Sequence, residues 1–284
     1  MATIGRRRAL GQHFLRDRGI ANQIAKATLD HAAQAGCRTL LEIGPGKGAI
    51  TLPLAQGLRD SSIERFVLCE RDRGLAGFWD QQRAQGVFEG IGEVDFIYSD
   101  FLELPESAWL SHAPLAVASN LPYSAGTAIL DRLARHSDRI SVMVLMFQAE
   151  VARRLRASSG TKEWGSLSVW IQNQWDVSRL MGVPPRAFAP PPQVDSEVVL
   201  LTRREKARLP IPPEPASQDR WEKLLKVSFA HRRKMLRSGL PASGPWRNAL
   251  ELAQLDGTKR AEALAWNDWL RLWNALTELE GRSE

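Results

Sequence analysis

Between residues 20 and 160, the apolar positions follow two alternating periods, and this alternation predicts strands separated by helices. Short, almost uninterrupted apolar runs such as RTLLEI (38–43) and ISVMVLMF (140–147) are typical of strands that are buried on both faces. Segments with helical spacing lie between them, such as ANQIAKATLDHAAQA (21–35). Because strands joined through helices pair in parallel, the sequence predicts an α/β fold with a mostly parallel, doubly wound sheet.

Beyond residue 160 the regular alternation stops. Two long segments, LSVWIQNQWDVSRLMGV (167–183) and VDSEVVLLTRR (194–204), both have a strand-like pattern. The proline-rich PPRAFAPPP (184–192) is a stiff connection between them. We therefore predict an antiparallel addition at one edge of the sheet.

The C-terminal part of the chain has a helical pattern after a segment rich in proline and charge. Helices are expected over 221–240 and near 266–279. The predicted boundaries are a first domain over 1–203, a linker over 204–219 and a small helical domain over 220–284. The core of the small helical domain is expected to contain the aromatic residues Trp221, Trp246, Trp266, Trp269 and Trp273.

Positive charge is concentrated at the two ends of the chain. The formal net charge is +6, yet residues 19–202 carry more acidic than basic side chains. Five arginines lie within residues 1–18, and 16 lysines and arginines lie within 203–284. This distribution is expected if the ends bind a polyanion such as nucleic acid. A basic, solvated surface is the alternative.

Other compositional features exclude several classes of protein. No apolar run approaches the roughly 20 residues that span a bilayer, and MATIGRRRALGQHF lacks the apolar core of a secretory signal. Cys37 and Cys69 have no metal-ligand spacing, so we expect two reduced thiols in a cytoplasmic protein and no metal site.

Candidate ligand-binding residues follow three predicted strands. LEIGPGKGAIT (41–51) is a glycine-rich turn, but its spacing is neither that of a dinucleotide site nor that of a P-loop. Glu70 follows the second strand, where doubly wound folds place an acid that binds ribose hydroxyls. Asp100 follows the third strand. Either acid could instead cap a helix.

The segment SNLPYSAG (119–126) interrupts an apolar strand in an unusual way. Pro122 ends the strand and stiffens the turn, and it holds Leu121 in extended geometry. Such a turn presents the Asn120 amide, backbone carbonyls and the Tyr123 ring at the carboxyl end of a strand. An ordinary strand-to-helix turn is the alternative. Together with the glycine turn and the two acids, the turn predicts a site for a nucleoside-containing cofactor and a second, planar substrate.

Nine ordered motifs carry a resemblance to a known family. They are GQHFL, LEIGPGKGAIT, CERD, SDFLEL, SNLPYS, FQAEVARRL, GSLSVWIQ, PRAFAPPPQVDSEVV and FAHRRKMLRSGL. In this order, from about residue 9 to about residue 275, they resemble the ribosomal RNA adenine N6-dimethyltransferases, most closely the small-subunit branch.

The resemblance implies a Rossmann-like class I methyltransferase fold that uses S-adenosylmethionine. The implied substrate is 16S rRNA in the small ribosomal subunit, where two adjacent adenosines of a hairpin loop near the 3′ end are dimethylated during ribosome biogenesis. It also implies a cytoplasmic monomer without membrane association.

The resemblance also implies roles for individual residues. The cofactor would be bound by His13, Leu15, Gly44, Gly46, Glu70, Asp100 and Asn120. The family usually has Asn where this chain has His13. Asn120 and the Leu121 carbonyl would accept the adenine amine, Pro122 would fix the turn, and Tyr123 and Phe188 would stack on the base. RNA phosphates would contact Arg6, Arg7, Arg8, Arg232, Arg233, Lys234 and Arg237. For Arg232, Arg233, Lys234 and Arg237, an exposed basic helix face is the alternative interpretation.

Two other functions stay open. The first is dimethylation of 23S rRNA, as in the erythromycin-resistance enzymes. The second is a non-catalytic ribosome-assembly factor that has kept the fold, although the intact Glu70, Asp100, Asn120 and Tyr123 favour catalysis.

Overall fold

The computed structural model describes residues 13–110 and 112–281 and divides the chain into two compact units. The first unit runs to Ala152 and resumes over Asp176–Arg203, and the second comprises Arg153–Trp175 and the residues from Arg204 onwards. The strands, in chain order, are β1 (Phe14–Leu15), β2 (Thr39–Ile43), β3 (Arg65–Glu70), β4 (Glu93–Tyr98), β5 (Leu115–Asn120), β6 (Ile140–Gln148), β7 (Trp175–Val183), β8 (Phe188–Ala189) and β9 (Ser196–Arg203). The α-helices are α1 (Arg18–Gln34), α2 (Thr51–Leu58), α3 (Ala76–Ala84), α4 (Gly126–Ala134), α5 (Ala149–Leu155), α6 (Ser166–Gln174), α7 (Pro215–Phe229), α8 (Leu236–Gly239), α9 (Trp246–Leu252) and α10 (Trp266–Gly281).

A seven-stranded mixed sheet forms the centre of the first unit. Its strand order is β4-β3-β2-β5-β6-β9-β7. The pairs from β4 to β6 are parallel, and β9 runs antiparallel to β6. This arrangement confirms the predicted mostly parallel sheet with an antiparallel addition at its edge. The chain leaves β2 toward β3 on one side and later returns to β5 on the other, so the sheet has a switch point between β2 and β5. Open α/β sheets bind ligands at such a point.

The central strands are buried because helices cover the sheet. All five residues of β2 are buried, which explains why its pattern does not alternate between apolar and polar as in a half-exposed strand. Ile24 of α1 and Leu54 of α2 belong to the same core, together with Phe66 of β3. This packing fixes the carboxyl ends of the parallel strands, where the candidate site residues lie.

One predicted strand is wrong in its first half. The sequence pattern predicts a single strand over residues 167–183, but the structure has helix α6 up to Gln174 and only then β7. The helix begins where the Gly165 amide donates to the Ser168 hydroxyl, and Val169 and Ile171 are buried. A short apolar run does not distinguish a buried strand from a buried helix, so this segment is ambiguous by pattern alone.

The second unit has a tryptophan-rich core. Trp221 packs edge-to-face with Trp269 and Trp273, with ring centroids 6.0 and 5.9 Å apart. Trp246 is also buried, and Trp266 packs against the cluster, so the predicted aromatic core is confirmed. Leu209 and Trp164 belong to this core as well. Residues 153–175 and the predicted linker therefore pack with the C-terminal helices, which differs from the domain boundaries expected from the sequence.

The helix expected over 221–240 is interrupted. Helix α7 ends at Phe229, and residues 230–234 form a turn and a bend before the short α8. The Leu236 and Arg237 amides donate to the carbonyls of Lys259 and Gly257 instead of continuing a helical ladder. The basic segment HRRK is therefore not a helix face. Within the described ranges, no helix is long and apolar enough to cross a membrane.

Candidate active site

The glycine-rich turn between β2 and α2 presents backbone to open space at the carboxyl edge of the sheet. Gly44, Gly46 and Gly48 have φ of +72, +56 and +81°, values that favour glycine over other residues. A Cβ atom on Gly44 would meet nothing within 4 Å. On Gly46 it would lie 3.2 Å from Cε1 of Phe14, so β1 closes this part of the turn. The turn thus has one open side and one side covered by the N-terminal strand.

Glu70 joins this turn to the end of β3. Its carboxylate is buried, with Oε2 accepting from the Gly46 amide at 2.9 Å and Oε1 from the Asp72 amide at 2.8 Å. Burial raises the pKa of Glu70, and the backbone donors of Asp72, Gly46 and Arg71 oppose that shift. Each carboxylate oxygen retains a second lone pair, so both can also accept from a bound hydroxyl.

Asp100 lies just beyond β4 and is partly used as a cap. Its Oδ1 accepts from the Leu102 amide at 3.0 Å, as the capping alternative predicts. Its Oδ2 lies 3.4 Å from Nη1 of Arg71. The side chain is only partly buried, so the second oxygen is the one that can serve a ligand.

The turn after β5 has the rigid form that its sequence predicts. The Pro122 carbonyl accepts from the Ala125 and Gly126 amides at 3.0 and 2.8 Å, and this closes the turn into α4. Asn120 donates through Nδ2 to the His13 carbonyl at 3.2 Å. Within the described residues, neither Oδ1 of Asn120 nor the Leu121 carbonyl accepts a hydrogen bond. Two acceptors without a hydrogen-bond partner among the described residues therefore belong to consecutive residues at the strand end.

The Tyr123 ring is held from two sides. Its hydroxyl is 2.6 Å from Oγ of Ser196, and its ring centroid is 5.4 Å from that of His13. Burial raises the pKa of Tyr123, although the Ser196 contact opposes the shift. Ser196 was missed by sequence reasoning. It lies within the quoted VDSEVV motif, but its partner is 73 residues away, and only the folded chain brings the two together.

A short antiparallel ribbon of β1 and β8 brings the N-terminal segment to this turn. Leu15 pairs with Phe188, and both side chains are buried. His13 contacts the Pro190 carbonyl through Nδ1 at 2.8 Å. The structure therefore places His13 and Leu15 in the segment that contacts the Asn120–Tyr123 turn, and their binding of a cofactor stays a prediction. Phe188 also lies there, but its side chain is 1% exposed and packs in the core, so no free ring face is offered, and stacking on a base stays a prediction.

The predicted RNA contacts have different environments. Arg6, Arg7 and Arg8 lie outside the described residues. In the second unit, Nη2 of Arg232 donates to the Lys162 carbonyl and, at 3.4 Å, to the Trp164 carbonyl. This guanidinium therefore braces its own unit. Basic side chains that are exposed in the same segment are Arg233, Lys234 and Arg237.

A second buried carboxyl belongs to Glu42 at the end of β2, and sequence reasoning did not single it out. Its side chain is 2% exposed, and its Oε2 makes no hydrogen bond to a described residue. Burial raises the pKa of Glu42 to about 8, Thr51 opposes the shift and Glu70 adds to it. Among the described residues, no group of three or more His, Cys, Asp or Glu side chains could hold a metal ion.

Comparison with known proteins agrees with this geometry. The family of ribosomal RNA adenine dimethylases matches residues 5–278 of the chain. A ribosomal RNA small subunit methyltransferase A from Alcanivorax borkumensis is 36% identical, covering 94% of this chain and 89% of its own. A dimethyladenosine transferase structure from Plasmodium falciparum is 23% identical with a TM-score of 0.71, covering 95% of this chain and 98% of that one. The structure of the 23S rRNA methyltransferase ErmE is 25% identical with a TM-score of 0.62, covering 93% of this chain and 99% of that one.

The matched region includes the whole sheet, the glycine turn and the Asn-Leu-Pro-Tyr turn, as well as most of the second unit. The similarity is therefore not confined to a methyltransferase core. The chain belongs to the ribosomal RNA adenine dimethylase family.

Proposed function

We propose that this chain transfers methyl groups from S-adenosylmethionine to the N6 amine of adenosines in small-subunit ribosomal RNA. The observation that carries the proposal is the pair of available acceptors, Oδ1 of Asn120 and the Leu121 carbonyl, on a turn that Pro122 stiffens. The relative from Alcanivorax borkumensis, named a small subunit methyltransferase, supports the choice of substrate.

The residues at the carboxyl edge fit S-adenosylmethionine. The open space at Gly44 accommodates a ligand against the backbone, and the spare lone pairs of Glu70 can accept two ribose hydroxyls. Asp100 has one oxygen left to accept from an adenine amine. His13 and Leu15 would cover the ligand from the ribbon. When bound, the cofactor supplies an electrophilic methyl group on a sulfonium.

The turn can activate an adenine amine by positioning it. This amine is a poor nucleophile because its lone pair is delocalised into the ring. If Asn120 and the Leu121 carbonyl accept its two N–H groups, the nitrogen is drawn toward tetrahedral geometry and its lone pair is exposed. Because the turn is already rigid, the gain comes mostly from orientation. The monomethyl amine keeps one N–H, so one acceptor can still hold it for a second transfer.

No dedicated general base is needed in this scheme. After transfer, the nitrogen carries an extra proton, which it loses to solvent. Tyr123, fixed by Ser196 and beside His13, supplies one stacking face for the base. Phe188 would supply the other only after its ring is uncovered.

Basic side chains of the second unit would bind RNA phosphates. Arg233 and Lys234 are exposed, and neither side chain makes a hydrogen bond or ion pair in the part of the chain that the structure describes. Arg237 is exposed in the same segment. Arg6, Arg7 and Arg8 are proposed contacts from the sequence alone. We further propose that the protein acts as a cytoplasmic monomer on two adjacent adenosines near the 3′ end of 16S rRNA.

The test is transfer of labelled methyl from S-adenosylmethionine to undermethylated small subunits and, separately, to large subunits, followed by nucleoside analysis. N6,N6-dimethyladenosine in small-subunit RNA alone is the expected result. Label in large-subunit RNA would favour the second candidate, 23S rRNA dimethylation, which the similarity to ErmE supports. Tight subunit binding without any label would leave a non-catalytic assembly factor.

A further inference from the structure

The ribbon of β1 and β8 brings two arginines together beside the catalytic turn. The Arg16 amide donates to the Ala187 carbonyl at 2.8 Å, and Nε of Arg16 donates to the Arg186 carbonyl at 3.3 Å. Both side chains are exposed, as is that of Arg18, the first residue of α1. No role has been assigned to these three side chains.

The remaining cations of the first unit are mostly engaged within the protein. Arg38 pairs with Glu64, Arg65 pairs with Asp95, and others bind carbonyl groups or aromatic rings. Among the described cations of this unit, the side chains that contact no carboxylate, carbonyl or ring are those of Arg18, Lys47 and Arg186. Lys47 lies in the glycine turn, so these cations lie in segments that flank the site.

This arrangement is costly without an anionic partner. A positive charge at the start of a helix opposes the helix dipole, and Arg18 occupies that position in α1. The Asp17 carboxylate offsets part of this charge, but it is used as the helix cap and accepts from the Ile20 amide. Arg16 follows β1 and Arg186 lies in the turn Pro185–Ala187 before β8, and the two are in contact because Nε of Arg16 donates to the Arg186 carbonyl. They place two further positive charges near each other, with no carboxylate paired to either among the described residues. Bound phosphates would offset both unfavourable interactions, that of Arg18 with the helix dipole and that between Arg16 and Arg186. They neutralise each guanidinium and accept its hydrogen bonds.

The ribbon is also fixed relative to the base that the turn would hold. Asn120 binds the His13 carbonyl, and the His13 ring lies against Tyr123. Arg16 is three residues further along, which is about 10 Å of extended chain. A guanidinium at that distance can reach nucleotides next to a bound adenosine.

We infer that Arg16, Arg18 and Arg186 form a phosphate-binding site next to the β1–β8 ribbon, and that this site contacts the RNA strand on either side of the target adenosine. The inference rests on the proposed function in that the polyanion is RNA. Its chemistry is sequence-independent, because guanidinium contacts to phosphate set position and affinity without reading the bases.

The test is a salt titration of binding to undermethylated small subunits. Arg18→Gln/Arg186→Gln removes two charges that make no contact within the described residues, so the fold should be retained. Each phosphate contact on a single strand contributes about 0.7 to the slope of log affinity against log salt. The double variant should therefore have a slope shallower by about 1.4, whereas Arg18→Lys/Arg186→Lys should keep the original slope.

A matched control removes two charges from the same unit, away from the ribbon. Lys26→Gln/Arg59→Gln changes one exposed side chain of α1 and one just after α2. These side chains contact Asp30 and the Gly86 and Val87 carbonyls of the protein itself, so the slope of this variant should stay close to that of the wild type. Equal slopes for the ribbon variant and the control variant would overturn the inference. The salt titration measures binding and needs no turnover, so its result is independent of the methyl-transfer experiment. A failure of methyl transfer would contradict the proposed activity, whereas a failure of the titration would contradict only the phosphate contacts.

Discussion

Replacing Glu42 by glutamine should flatten the pH dependence of folding stability. Burial raises the pKa of Glu42 from 4.5 to about 8. A carboxyl with a raised pKa in the folded state holds its proton more tightly there than in the unfolded chain. Its contribution to stability is therefore complete below pH 4.5 and is lost as the pH rises through about 8. Glutamine has nearly the same size and carries no charge at any pH.

The magnitude follows from the width of this interval. One proton contributes about 1.4 kcal/mol of unfolding free energy per pH unit, so the pKa difference sets an upper limit of about 5 kcal/mol. Allowing for relaxation around the buried charge, Glu42→Gln should gain at least ~2 kcal/mol over wild type between pH 5 and pH 9. For a chain of this size, that corresponds to a relative rise in Tm of about 4–8 °C.

The assay is calorimetric unfolding of wild type and Glu42→Gln at several values between pH 5 and pH 9, without cofactor. The control is Glu64→Gln, because the Glu64 side chain is 63% exposed and its loss should not change the pH profile to this extent. The difference between wild type and Glu42→Gln cancels most of the titration of Glu70 and the cysteines. Parallel Tm profiles for these two proteins would refute the reasoning.

Three further variants test the proposed site. Asn120→Ala should lower single-turnover methyl transfer by about 100-fold or more, because it removes a side-chain acceptor that positions the amine. Cofactor affinity by calorimetry should fall much less, because Asn120 is one of several residues proposed to bind the cofactor. Ser196→Ala should lower kcat several-fold by freeing the Tyr123 hydroxyl. Arg233→Ala/Lys234→Ala should reduce the salt slope of small-subunit binding by about 1.4, measured by filter binding.

Each of these expectations has a contrary result. Full methyl transfer by Asn120→Ala would show that the Asn120 side chain does not position the adenine amine. If Ser196→Ala has the wild-type kcat, the contact between Ser196 and the Tyr123 hydroxyl contributes to folding and not to catalysis. For the basic turn, Arg232→Ala is the comparison, because loss of its bonds to the Lys162 and Trp164 carbonyls should lower Tm. An unchanged salt slope in the Arg233→Ala/Lys234→Ala variant would assign those side chains to ordinary solvation.

Local sequence patterns predict the parts of the fold that depend on local physics. The buried strands β2 and β6 are mostly apolar runs, and their parallel pairing with β5 follows from the helices between strands. The positive φ of Gly44 is foreseeable because glycine is the residue that adopts it without strain. The stiff turn at Pro122 is foreseeable for a similar reason. In each case, one or two neighbouring residues decide the geometry.

The remaining features depend on contacts between distant residues. Nothing near Tyr123 indicates that Ser196 would hold its hydroxyl, and Arg232 resembles the neighbouring basic residues although its guanidinium binds carbonyls about 70 positions away. The apolar character of Phe188 is compatible with stacking on a base, but tertiary packing buries its ring. Helix α6 is a further example, because its short apolar pattern fits a buried strand and a buried helix equally well. Only its packing in the folded chain decides between them.

The tryptophan-rich core of the second unit makes intrinsic fluorescence a selective probe. Eight of the ten tryptophans belong to this unit, and only Trp79 and Trp109 belong to the first. Emission would therefore follow mainly the unfolding of the second unit, whereas far-ultraviolet circular dichroism would follow both. If the two units unfold independently, the two transitions will not coincide. One spectrometer could thus separate a substitution that weakens the catalytic unit from one that weakens its neighbour.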